Sequence, residues 1–260
     1  MYEYTYYYFI SFFGVISLLT IALFFVIAFI AASVASLTGF GSATMLIPFA
    51  SLIIELKQAI ILVAFFHWFS NTFKLLRLWR STNWRVFFLY GVPSIITAYG
   101  GAMLLERVDI DIIAVAFAAF IIVFSIYSLL KPTWSLPSKD SLLVFGGALS
   151  GFTAGLIGLG GAIRGMFLIS TKIEKETYIA TSAAIAFVTD VTRLSVYVAN
   201  GSLESQYYWY ILPLIVVAYA GTRLGVRLLR RLPGTAVKRG VLVMLLLVGI
   251  RMILGYFGVF

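Results

Sequence analysis

Four polar side chains interrupt stretches that are otherwise apolar: Arg164 in "GLGGAIRGMFL" (158–168), Asp190 in "AAIAFVTDVTRL" (183–194), and His67 and Asn71 in "AFFHWFSNTF" (64–73). Arg164 lies one turn past a run of glycines. A cation there requires a counter-charge: a bound anion, a carboxylate such as Asp190, or an aqueous interface to which the side chain snorkels. Asp190 precedes Arg193 by three residues, a spacing that shares a helix face. It reads either as half of an ion pair or as a proton-carrying acid of the kind that marks intramembrane relays. His67 is the only histidine and sits one turn before Asn71 on the same face. It is either a hydrogen-bonded helix contact or a proton shuttle. Asp190, His67 and Asn71 are the candidates for coupling to protons, although Asn71 itself cannot titrate. Thr181 and Ser182 either line a cavity or bond to their own helix backbone.

The glycines raise a second chemical question. "GFGSATMLIPF" (39–49) and "GLGGAIRGMFL" both break apolar segments with small residues. A glycine turn permits positive φ and close packing, and a short helix starting at Ser42 or Ala162 exposes its first amides. Inside a bilayer such amides are tolerated only when buried in protein or facing a cavity, and the helix dipole makes their surroundings positive. Two such ends directed at one point form an anion site of the type found in secondary transporters. The alternative for each glycine cluster alone is helix–helix packing.

The elements that position these residues are membrane helices. Of 260 residues, 62% are hydrophobic and 11% charged, a composition that belongs to a multi-span membrane protein. The long apolar runs lack the alternation of barrel strands. The start, "MYEYTYYYFISFFG", has no positive segment and carries Glu3, so it reads as a retained helix and not a cleaved leader. No cysteine occurs, which excludes disulfides, thiolate metal sites and cysteine nucleophiles. No metal site or cofactor is expected. The net charge of +9 is assigned to orienting helices in the lipid bilayer and not to nucleic acid.

The chain is internally duplicated. A slide of 119 positions aligns residues 35–75 with 154–194 without a gap and with eleven identities, among them Gly39/Gly158, Gly41/Gly160, Ala43/Ala162 and Glu55/Glu174. Ser70/Thr189, Asn71/Asp190 and Lys74/Arg193 keep related chemistry. The division is 1–130 for the first repeat, 131–140 for a cytoplasmic linker and 141–260 for the second repeat. Each repeat holds an interrupted helix (about 11–54 and 141–171). Three further helices follow, at 57–79, 85–105 and 110–130, then at 176–199, 206–226 and 236–257. Trp79, Trp84, Trp134, Tyr207, Tyr208 and Trp209 fall near helix ends, where aromatic rings favour the interface. Glu55 and Glu174 sit at helix starts, where acids suit the dipole.

Charge sets the relative orientation. Lys74, Arg77, Arg80 and Arg85 cluster after the second helix of the first repeat, whereas the matching loop "NGSLES" has only Glu204. The next loop is acidic in the first repeat ("ERVDID") and basic in the second. With the basic loops in the cytoplasm, 14 of the 19 Lys and Arg residues fall on that side. The expected fold is therefore an all-α, polytopic helical bundle of two inverted repeats, each with a glycine-broken or re-entrant first helix and both termini outside. The segment after each glycine motif is short for a full span, which favours the re-entrant form.

Two glycine motifs, then "ETYIATSAAIAFVTDVTRL" (176–194) and "PLIVVAYAGTRLGVRLLRRLP" (213–233), resemble the TauE/SafE sulfite exporter family, also called the toluene sulfonate uptake permeases. The likeness covers nearly the whole chain and is strongest over 142–255. It implies transport of small anions, often sulfur-containing, such as sulfite, sulfoacetate or other organosulfonates. It also implies Gly39, Gly41, Ser42, Gly158, Gly160, Gly161 and Thr181 as site-lining positions. Ala43 and Ala162 accompany them at the short-helix starts, and Arg164 joins them from its own position in the sequence.

The expected function is a secondary transporter, exporting a small anionic substrate across the cell membrane by alternating access. No "GxxxxGK[ST]" phosphate loop is present to bind ATP. The alternatives are an anion channel with the same half-helix site, a divalent-metal transporter, and an intramembrane enzyme, for which one histidine and few buried acids are poor equipment. Self-association into a homo-oligomer stays open.

Overall fold

The computed structural model describes residues 19–36, 41–131, 137–228 and 234–257. Among them are ten α-helices and no strand: α1 (Leu19–Ser36), α2 (Ser42–Ala50), α3 (Leu56–Leu78), α4 (Trp84–Leu105), α5 (Ile110–Leu130), α6 (Asp140–Ile157), α7 (Gly160–Ile169), α8 (Lys175–Ala199), α9 (Tyr208–Leu228) and α10 (Gly234–Tyr256). Seven of these (α1, α3, α4, α5, α6, α8 and α9) are long and apolar enough to cross a bilayer. The 9 residues of α2 and 10 of α7 rise about 14–15 Å, half of a hydrocarbon core about 30 Å thick.

Polar contacts between helix ends sort the helices by direction. At one end of the bundle, Arg85 at the start of α4 bridges Asp140 at the start of α6 (2.7 Å). There too, Ser81, just after α3, donates to Glu176 in the first turn of α8 (2.9 Å). At the other end, Lys57 at the start of α3 pairs with Glu106 at the end of α4 (3.0 Å). Gln58 bonds there to Ser202 and Glu204, which follow α8. The exposed pairs at the first end add little stability, but the contacts at both ends fix position: α3 and α8, which correspond in the duplication, run antiparallel. The first end gathers Arg77, Arg80, Arg85, Lys139, Lys172 and Lys175; the second gathers Glu55, Glu106, Asp109, Asp111 and Glu204. Exposed Trp79 and Trp84 lie at the basic end and exposed Tyr208 and Trp209 at the acidic one, as rings at an interface would.

The halves are interleaved. An added Cβ on Gly147, Gly151 or Gly155 of α6 would run into the backbone of α4, and one on Gly221 or Gly225 of α9 would run into α1. The first helix of each half therefore packs against the third helix of the other half through small residues that allow close backbone approach.

The interruption in the second half is a helical hairpin. Gly158 ends α6 in the left-handed region (φ 74). Its amide donates to the Ala154 carbonyl (3.1 Å), the single bond of an αL stop, and the Leu159 amide reaches back to Thr153 (3.3 Å). Helix α7 then returns along α6: Ser150 Oγ donates to the Gly160 carbonyl (2.8 Å), and Phe167 lies over Gly146. The hairpin enters at Asp140 and leaves toward Glu176, both at the basic end, so it is re-entrant. In the first half Gly41 (φ 86) opens α2; the turn before it, with Gly39, lies outside the described residues. The starts of α2 and α7 meet inside the bundle. A Cβ on Gly41 would stand 3.1 Å from Gly161 Cα, and one on Gly158 would collide with Ile47.

Candidate functional site

Both short helices begin without a side-chain cap, at Gly41 and at Leu159; in α7 the Ala162 amide donates to the Leu159 carbonyl (3.2 Å). Around the start of α2 the hydroxyls of Ser42 and Thr44 are buried with no hydrogen-bond partner. Ala43 and Ala162 pack in the first turns with almost no exposure. Gly160 is braced by Ser150, and Gly161 touches Gly41.

Below this junction lies a cavity lined by Ala35, Gly41, Asn71, Lys74, Arg164, Ile179, Ser182 and Ala183. It sits toward the basic end, since Lys74 is near the close of α3 and Ile179 near the opening of α8. The centre of a water molecule has only about 10 Å³ in which to move, room for about one water. Two cations face it. Arg164 is 3% exposed and Lys74 5% exposed. Arg164 Nε donates to Ser182 Oγ (2.9 Å), and Lys74 Nζ donates to Asn71 Oδ1 (3.3 Å). Among the described residues no carboxylate stands within ion-pair distance of either. A single arginine at the centre of a spanning helix costs roughly 2.5–3.5 kcal/mol on insertion scales. Two buried cations held by neutral groups alone leave that cost largely uncompensated.

Among the described residues the buried carboxylate, Asp190, is engaged elsewhere. Asp190 accepts from Arg193 through Oδ1 (2.7 Å to Nη2, 2.9 Å to Nε) and lies 2.7 Å from His67 Nδ1 through Oδ2. Arg193 also donates to the Ala154 carbonyl (3.1 Å), which ties this cluster to the tip of the α6–α7 hairpin. His67 Nε2 is buried with no partner. The cluster adjoins the cavity through Asn71, whose Nδ2 donates to the His67 carbonyl (2.8 Å).

Of the residues singled out in the sequence, Gly41, Asn71 and Arg164 are brought together at the cavity, with Ser42, Ala43, Gly160, Gly161 and Ala162 in the adjoining turns. Arg164 neither snorkels nor pairs with Asp190. Gly158 forms the hairpin turn and abuts Ile47. Thr181 does neither of the things expected of it: its Oγ1 accepts the amide of Asn83 (2.9 Å) and helps anchor the start of α4, while its neighbour Ser182 lines the cavity. His67 and Asp190 form the second cluster. Lys74 is the residue that sequence reasoning misplaced. The sequence groups it with the cytoplasmic basic loop, and the structure buries it in the bundle. The signal lay in the repeat register, which equates Lys74 with Arg193, an arginine well inside a spanning helix.

A sequence model described as sulfite exporter TauE/SafE matches residues 24–252. The chain belongs to the TauE/SafE family. No curated protein and no solved structure matches it. Membership in a sulfite exporter family, together with seven membrane-capable helices, makes this a multi-pass membrane protein of a transporter family. The TauE/SafE match spans both glycine motifs, both hairpins and the cavity.

Proposed function

We propose that the chain carries small sulfur oxyanions or organosulfonates across the cell membrane by alternating access. The observation that carries this reading is the pair of buried cations, Lys74 and Arg164, facing one cavity beside the uncapped start of α2, with no carboxylate in ion-pair reach among the described residues. An oxyanion there would accept from the guanidinium, the ammonium and the backbone amides, all charge-assisted or dipole-directed bonds. Divalent cations would meet repulsion at the same place. Inverted repeats supply the mechanics: the antiparallel course of α3 and α8 and the interleaved halves support two related hairpins rocking about a shared site. Applied to the basic end, the positive-inside rule puts that end in the cytoplasm and both termini outside.

A carrier is favoured over a channel by the size of the cavity. Space for about one water is a contracted state that must open to admit an oxyanion, as a cycling carrier does. Export follows the family description. Proton coupling is assigned to the His67–Asp190 cluster, which adjoins the cavity and has one imidazole nitrogen unpartnered.

The test is flux of labelled sulfite in proteoliposomes, with thiosulfate and sulfate as competitors. Saturable flux that Arg164→Gln abolishes is the expected result. Flux unchanged by that substitution, or linear in sulfite at every concentration, would reject the carrier reading.

A further inference from the structure

The duplication gives the residues that line the cavity a second set of counterparts in the chain, and comparing the two sets shows why only one can receive an anion. Under the slide of 119 positions, Asn71 corresponds to Asp190, Lys74 to Arg193, Arg164 to Met45, Ser182 to Val63, Ile179 to Ile60 and Gly41 to Gly160. All the counterparts are buried. In the second copy the cation at the Lys74 position, Arg193, is neutralised three residues earlier by the Asp190 carboxylate (2.7 Å). The arginine and serine positions are filled by Met45 and Val63, which offer no polar contact. In the first copy, the same i, i+3 geometry holds Lys74 against the amide oxygen of Asn71 (3.3 Å), and a second cation faces the same space.

We infer that Asn71 is the specificity-determining residue of the cavity. By carrying an amide where its repeat partner carries a carboxylate, it leaves Lys74 uncompensated, so that with Arg164 the site presents two free positive charges and selects divalent oxyanions. Asp190 in the other copy is a built-in occupant of the seat that the transported anion takes in the first. The inference rests on the anion reading of the cavity and adds which charge the site demands and which residue sets it. The amide supplies no negative charge to the pair, and a carboxylate at position 71 would supply one from within hydrogen-bond reach of Lys74.

The experiment uses the full chain in detergent. At neutral pH it titrates thiosulfate, a dianion, sulfite, a mixture of dianion and monoanion, and methanesulfonate, a monoanion, by calorimetry and ligand-induced thermal shift. Asn71→Asp is expected to weaken sulfite binding by about tenfold or more, the usual consequence of losing a charge-assisted contact, while melting at or above the wild-type temperature. Lys74→Gln lowers the preference for dianions over methanesulfonate, and Lys74→Arg preserves it. Sulfite binding by Asn71→Asp equal to wild type, or a Lys74→Gln chain that loses both charge classes alike, overturns the inference. The Lys74 pair decides if Asn71→Asp does not fold. A wild-type chain that binds none of the three anions overturns the anion reading and this inference with it. Binding that Arg164→Gln abolishes and Asn71→Asp retains overturns the inference alone.

Discussion

Asp190 and Lys74 are both buried, and the difference between their surroundings is thermodynamic. Asp190 is the shared partner of Arg193 and His67, so Asp190→Ala strands a buried guanidinium and should cost about 3–5 kcal/mol. Lys74→Gln strands no carboxylate and should leave stability close to wild type or raise it. Detergent melting curves of the two variants, measured side by side, test the contrast; equal losses would show that Lys74 is structurally compensated after all. His67 contacts the same carboxylate but keeps Nε2 unpartnered. If it carries the coupled proton, His67→Ala retains sulfite exchange between equal compartments and loses accumulation driven by a pH jump. Retained accumulation would remove His67 from the coupling path.

At the scale of elements, the hairpins convert glycine conformation into position. Gly158 has φ 74, and a Cβ there would also strike Ile47 across the contact between hairpins. Gly201 has φ 62 and open space around it. Left-handed backbone costs a non-glycine residue about 1–2 kcal/mol, so Gly158→Ala and Gly201→Ala share that term and differ in the collision. Both should lower the melting temperature, Gly158→Ala the more, because the buried Ile47 side chain must turn its Cδ1 aside within the contact between α2 and the α6–α7 turn; equal losses would show that this contact yields freely. The break itself was readable from the two glycine motifs. The direction of the return helix was not: it follows from Phe167 lying over Gly146 and from the tie of both hairpin ends to the α3–α4 turn, contacts between residues far apart in the chain.

At the scale of the whole molecule, the basic and acidic ends predict a topology that can be measured directly, since the chain has no native cysteine. Single cysteines at the exposed positions Arg107 and Ser205 should react with a membrane-impermeant maleimide from outside intact cells, and those at Arg80 and Lys139 only after permeabilisation. The opposite pattern would turn the molecule over, and labelling of Arg80 and Lys139 on different sides would break the bundle as described. Interleaving of the halves adds an expectation of cooperative loss: Gly151→Leu drives a side chain into α4 at Ser94 and should prevent assembly of both halves, read as loss of monodisperse protein on extraction.

Some of this was decided locally, and for that reason the linear chain held it. Helix lengths, membrane residence, the broken first helices and the charge asymmetry of the loops depend on apolar runs, glycines and basic residues that act within a few turns of themselves. The duplication, too, is a property of order along the chain. Pairing was decided only in three dimensions. Asp190 had two partners within reach by sequence logic, Arg164 and Arg193, and tertiary packing gave it Arg193 and His67. Lys74 looked like one more loop cation until α3 carried it inside. The physical reason is that a buried charge is defined by what fills the few ångströms around it. In a bundle whose halves interleave, some of those neighbours lie far along the chain, as His67 lies 123 positions from Asp190.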